Sequence, residues 1–175
     1  MTAMLKTTRL DLEPVRESHA QEAWTSLDDE RLWRYFPHLR PKTLNDLRSV
    51  YRRWERAVPG DEVWLNWLCR ERRSGVLVGA MQATVRKRGV AYIAYAFYPA
   101  HQRKGYAREA AGAVIDHLCQ AYRVTHVRAE MDARNEASSR LAESLGFSRV
   151  ATQLAPDLGQ GSAQEFVYEL VCATR

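Results

Sequence analysis

The chain has 175 residues, of which 46% are hydrophobic and 27% charged, a length and balance that suit one globular domain over residues 1–175 with a proper core. Without an apolar run of about 18 residues or a signal-peptide h-region at its start, it reads as a cytoplasmic protein with no membrane partner. Its net charge of +5 comes from 26 Lys and Arg spread among 21 acidic residues, which fits an anionic cofactor at least as well as a nucleic-acid partner.

In chain order, Arg9 to Glu13 predicts a short strand that Pro14 stops. Ser18 suits the N-cap of a helix through Ala20, Ala23, Trp24 and Leu27. Asp28 and Asp29 open a second helical piece through Leu32, Trp33 and Phe36, which Pro37 ends. Thr43 caps a third, with Leu47, Val50, Tyr51 and Trp54 at helical spacing. Pro59-Gly60-Asp61 is a turn. Three strand-like runs follow, Val63 to Arg70, Val76 to Arg86 and Val90 to Tyr98, joined by short turns that imply antiparallel hairpins. The third run is apolar on both faces, as a central strand is. The three cysteines, Cys69, Cys119 and Cys172, are odd in number and widely spaced in apolar contexts. They read as reduced core residues, and no Cys/His cluster has metal-site spacing.

The chain is organised around Gln102-Arg103-Lys104-Gly105-Tyr106-Ala107. A strand and a turn at Pro99-Ala100 precede it. A helix follows, with its apolar stripe at Ala107, Ala110, Ala111, Val114, Ile115, Leu118 and Tyr122. A helix N-terminus offers N–H groups without internal partners and a dipole that favours negative charge. Gly105 lets the backbone approach a ligand, and Arg103, Lys104 and Arg108 bring positive charge beside it. The plain alternative is an ordinary strand-to-helix connection with a solvated basic start. The loop has neither the Lys-Ser/Thr pair of a P-loop nor the glycine spacing of a dinucleotide site. Downstream, Val127 to Asp132 alternates as a strand, Asn135 makes a turn, and a short helix ends at Gly146-Phe147. Phe147 to Gln153 and Gln164 to Val171 read as final strands, with a loop over Pro156 to Ser162 between them.

The order strand, Gln-x-x-Gly-x-Ala, helix, strand, Asn-x-x-Ser, helix, Gly-Phe resembles the GNAT superfamily of N-acetyltransferases, and the start Thr8-Arg9-Leu10-Asp11-Leu12-Glu13-Pro14-Val15 is similar to the first strand of its RimJ/RimL-type subgroup. The resemblance implies an α/β (α+β) fold, with a mixed, mostly antiparallel central sheet flanked by helices. It implies acetyl-CoA as co-substrate, with no metal, and an amine acceptor that is a protein N-terminus or a small molecule. A homodimer is implied on the same ground alone. The backbone of Gln102, Arg103, Lys104, Gly105, Tyr106, Ala107 and Arg108 would hold the pyrophosphate. The strand end at Ala96 and Phe97 would run beside the pantetheine, and Asn135 and Ser138 match positions at its sulfur end. The early helices would overlie the acceptor entrance, so that Trp33, Tyr35 and Phe36 line it, with Tyr92 on the central strand.

The sequence also departs from the family pattern. Tyr92 stands where a glutamate often sits, and Ala142 where a tyrosine often precedes the final glycine. Glu130 is then the nearest candidate base, and Ser138 the candidate proton donor to the leaving thiolate. The competing reading of Arg128, Glu130 and Asp132 is a solvated, charge-paired face. Asn135 is also a natural helix N-cap, and Ser138 also suits a solvent-facing first turn. His101 directly precedes the phosphate loop and reads as packing there or touching phosphate rather than as a base, and His117 and His126 read as structural. With both family residues missing, the alternative function is a non-catalytic acyl-CoA sensor or structural subunit.

Overall fold

Alternating apolar residues in the middle of the chain build the sheet that everything else packs on. The structure, a computed structural model, describes residues 2–56, 60–154 and 163–172. Among them the strands are β1 (Leu5–Lys6), β2 (Leu10–Pro14), β3 (Val63–Glu71), β4 (Leu77–Arg86), β5 (Val90–Phe97), β6 (His126–Asp132), β7 (Ser148–Leu154) and β8 (Gln164–Val171). They form one 8-stranded sheet in the order β1-β2-β3-β4-β5-β6-β8-β7. Every neighbouring pair is antiparallel except β5 and β6. The fold is the mixed, mostly antiparallel α/β arrangement the sequence implies, and the doubly apolar β5 lies inside the sheet.

The sheet's two faces carry separate cores. Alternation sends Leu65, Trp67 and Cys69 of β3 to one cluster and Leu68 to the other. Helix α3 (Tyr106–Ala121) buries Ala110, Ala111, Val114 and Leu118 in the first cluster, with Ile93 and Val127. Helices α1 (Ala20–Trp24) and α2 (Leu44–Glu55) cover the second, where Leu47 and Tyr51 meet Leu68, Leu77 and Tyr98. Thr43 caps α2 in a capping box with Asp46, whose side chain accepts from the Thr43 N–H at 2.8 Å. Helix α4 (Glu136–Ser144) buries Ala142 in the first cluster. No helix among the described residues is long and apolar enough to cross a membrane.

Several expectations need correction. Ser18 caps no helix: it lies inside a 3-10 turn, Glu17–His19, and α1 itself has only 5 residues. The second early helix is only a 3-10 turn, Glu30–Trp33, and a further 3-10 turn, Pro37–Leu39, follows it, because prolines at 37 and 41 interrupt the segment. Cys119 and Cys172 are not reduced. They form a disulfide with Cα atoms 6.1 Å apart, because the end of α3 meets the end of β8, while Cys69 is the buried free thiol. The expected turn at Pro59 and the loop from Pro156 to Ser162 lie wholly or partly outside the described residues.

Candidate active site

The site begins where β5 and β6 part. They pair at Val90 with His126, Ala91 with Val127 and Tyr92 with Arg128, and at no later position. On its other edge β5 stays in register with β4 from Arg86 opposite Val90 to Gly79 opposite Phe97. Gly79 allows that close approach, since a Cβ there would lie 2.7 Å from the Ala96 carbonyl oxygen and the Phe97 ring. Beyond Tyr92, one edge of β5 therefore faces an opening wedge with unpaired backbone groups. The Tyr98 N–H donates to the Val78 carbonyl at 3.0 Å. Successive N–H groups along a strand point to opposite edges. This turns the Phe97 N–H toward the wedge and the Ala96 N–H toward β4. Of the two expected positions, Ala96 and Phe97, Phe97 alone thus offers a donor there.

The loop after β5 closes the wedge at its base. Gln102 ties it to the strand, its Nε2 donating to the Phe97 carbonyl at 2.8 Å. Arg103 and Gly105 both sit in the left-handed region, at φ 59° and 82°. That alternation gathers successive N–H groups into a concave nest suited to an anion. Gly105 is the N-cap of α3, and no side chain caps the helix. The first-turn N–H groups from Tyr106 to Arg108 therefore await an outside acceptor. The side chains of Arg103, Lys104 and Arg108 add positive charge.

The loop is braced from behind by residues that the sequence did not single out. Arg9, just before β2, donates from Nη1 to the Lys104 carbonyl at 2.9 Å and from Nε to Glu109 at 2.7 Å. Its guanidinium lies 4.7 Å from the centre of the Tyr106 ring. The Tyr106 hydroxyl donates to Glu71 at 2.5 Å. Glu109 is one of two acidic residues on α3, with Asp116, and nothing local singled it out or named its partner.

Hydrogen bonds from Ser74 and Tyr106 hold the Glu71 carboxyl below its usual range. Burial pushes Glu109 up, but donors from Thr7 and Arg9 outweigh it and leave its pKa lowered. A depressed carboxyl gives stability that is present above its unfolded pKa, about 4.3 for Glu, and is lost as pH falls through the folded value. We expect the melting temperature to fall steeply as pH drops below about 4.3. Melting curves should show a shallower fall for Glu109→Gln, which has no carboxyl to protonate.

Across the wedge stand β6 and α4. Asn135 caps α4, its Oδ1 accepting from the Ser138 N–H at 3.2 Å. The Ser138 carbonyl accepts from the Tyr95 hydroxyl at 3.3 Å. Tyr95 thus spans from β5 to α4, and burial raises its phenol pKa. The expected Asn135 and Ser138 are brought together beside the open edge of β5. The Ser138 hydroxyl makes no hydrogen bond among the described residues.

On the other sheet face, Arg128, Glu130 and Asp132 line up, but they do not pair with one another. Arg128 bonds Glu169 at 2.7 Å and Asp132 bonds Arg134 at 2.6 Å. Glu130 is exposed and forms no ion pair among the described residues. Ala94, also exposed, is on β5 across the gap. Tyr92 sits at the last paired position, with the Arg86 guanidinium 4.6 Å above its ring. Of the early aromatics, Tyr35 reaches the β6–α4 connection, its hydroxyl donating to the Arg134 carbonyl at 3.3 Å. Trp33 instead bonds the Leu27 carbonyl at 2.8 Å and packs edge-on against Phe36. These two shape the covering segment. No cluster of three or more metal-ligating side chains occurs among the described residues.

Chemically, the wedge offers strand-like donors for an extended amide chain, an anion nest at one end and a free carboxylate on the far face. Comparison with known proteins points the same way. Residues 9–148 match the family model described as acetyltransferase (GNAT) domain. A curated relative, the uncharacterized N-acetyltransferase YoaA of Bacillus subtilis, is 24% identical over 151 residues, 85% of each chain. A GNAT-family acetyltransferase from Bacillus anthracis superposes with a TM-score of 0.83 at 20% identity, covering 97% of this chain and 98% of that one. The ribosomal L7/L12 alpha-N-protein acetyltransferase RimL, solved in complex with coenzyme A, gives 0.82 at 16% identity over 97% and 98%.

Proposed function

The chain belongs to the acetyltransferase (GNAT) domain family, and on that premise we propose that it moves the acetyl group of acetyl-CoA to the α-amino group of a peptide or protein. The carrying observation is the wedge: an open β5 edge that runs straight into an uncapped helix N-terminus. Pantetheine would lie along that edge like an added strand, and the pyrophosphate would sit on the N–H groups from Arg103 to Ala107. The Phe97 N–H would polarise the thioester carbonyl as negative charge develops on its oxygen.

The step is a direct transfer. The amine nitrogen attacks the carbonyl carbon, the C–N bond forms and the C–S bond breaks. Glu130 takes the proton that the amine loses and passes it to solvent, and the Ser138 hydroxyl relays a solvent proton to the departing thiolate, whose ordinary pKa is about 8.5, so that the serine ends the step as the neutral hydroxyl. A peptide N-terminus, with a pKa of about 7.7 to 8.0, needs less help to lose its proton than a lysine-type amine. An unpaired exposed carboxylate on an otherwise charge-paired face supports that choice. RimL, as named, acetylates a protein α-amino group.

The experiment is free-thiol release from acetyl-CoA with short peptides, amino acids, polyamines and aminoglycosides in parallel, with product masses. Peptides with free N-termini are expected to be acetylated fastest, and N-terminally blocked ones not at all. Faster turnover of polyamines or aminoglycosides would move the acceptor to small molecules. Tight coenzyme binding without release to any acceptor would favour the non-catalytic sensor, the reading suggested by Tyr92 and Ala142.

A further inference from the structure

We infer that Arg9 is the positioning residue of the anion nest, fixing the Lys104–Gly105 peptide so that its N–H faces the coenzyme diphosphate; this rests on the proposed coenzyme reading of the loop. In a trans peptide the C=O of one residue and the N–H of the next point to opposite sides. Arg9 Nη1 holds the Lys104 carbonyl at 2.9 Å, on the side of the loop that faces β2. The Gly105 N–H therefore points the other way, into the nest.

The guanidinium cannot swing away easily. Glu109 accepts from Arg9 twice at 2.7 Å, from Nε and from the backbone N–H. Thr7 Oγ1 donates to the same carboxylate at 2.6 Å. Below it, the Tyr106 ring supports the planar group. Arg9 Nη2 comes within 3.2 Å of where a Cβ on Gly105 would be. The arginine thus touches the loop at the residue whose conformation matters most. A lysine would keep the charge but not the planar fork that reaches a carboxylate and a carbonyl together.

The test compares wild type, Arg9→Lys and Arg9→Gln in calorimetric titrations with coenzyme A, with ADP, which carries adenosine and the diphosphate without the pantetheine arm, and with pantetheine, which lacks the diphosphate. Arg9→Lys keeps a cation opposite Glu109, so a folded variant is at hand if Arg9→Gln unfolds. Expected is a loss of about tenfold in affinity for coenzyme A and ADP, the size of one well-oriented hydrogen bond. Pantetheine affinity should not change, and KM for acetyl-CoA should rise while kcat at saturation holds. Equal affinity of variants and wild type for coenzyme A would overturn the inference. So would an equal loss for pantetheine, which marks general loosening of the fold. If wild type itself binds neither coenzyme A nor ADP, the coenzyme reading fails first and takes this inference with it.

Discussion

Gly105→Val is expected to lower coenzyme A affinity at least about a hundredfold, while the backbone strain it introduces lowers the melting temperature by several degrees without unfolding the chain. Gly105 sits at φ 82°, where a β-branched residue is strained by about 1–3 kcal/mol. A Cβ would also press on Arg9 Nη2 from 3.2 Å. If the loop relaxes to relieve either, the N–H groups from Arg103 to Ala107 no longer converge. Losing even one charge-assisted bond to a phosphate costs about 1.5–3 kcal/mol, and about 3 kcal/mol in total is a hundredfold in affinity. Gly105→Ala should lose less, since the long Arg9 side chain can give way. Calorimetric titration beside a melting curve separates the two effects, and undiminished binding by Gly105→Val would place the coenzyme elsewhere.

Glu130→Gln is expected to lower kcat by about 10²- to 10⁴-fold, the usual worth of a positioned general base, with coenzyme affinity unchanged. The substitution preserves shape and removes only the proton acceptor. Ser138→Ala should lower kcat less, because water can protonate a thiolate. The opposing idea of a purely solvated face predicts wild-type kcat for Glu130→Gln. Arg128 and Asp132 have partners of their own in Glu169 and Arg134, which leaves Glu130 as the member of the three with no ion pair among the described residues.

What the sequence disclosed was what neighbours in sequence encode. The turn through Gly105, α3 and the Asn135 cap of α4 each lie within a short run of consecutive residues, and these elements formed as their spacing implies. The early helices were overread because apolar spacing near Trp33 looks helical, while prolines at 37 and 41 allow only 3-10 turns. The two-residue strand β1 is too short to show any period. The wedge itself was hidden. Residues 93–97 look like a strand paired on both edges, and only the register reveals that pairing with β6 stops at Tyr92. Contacts between distant segments were equally silent: Arg9 with Glu109, Tyr95 with Ser138, and the Cys119–Cys172 disulfide.

The most direct measurement is a crystal structure of the chain with coenzyme A bound. The expected result puts the diphosphate oxygens within hydrogen-bonding distance of N–H groups between Arg103 and Ala107, and the pantetheine beside Phe97 with its sulfur near Ser138. Coenzyme bound elsewhere, with the wedge between β5 and β6 empty, would contradict it.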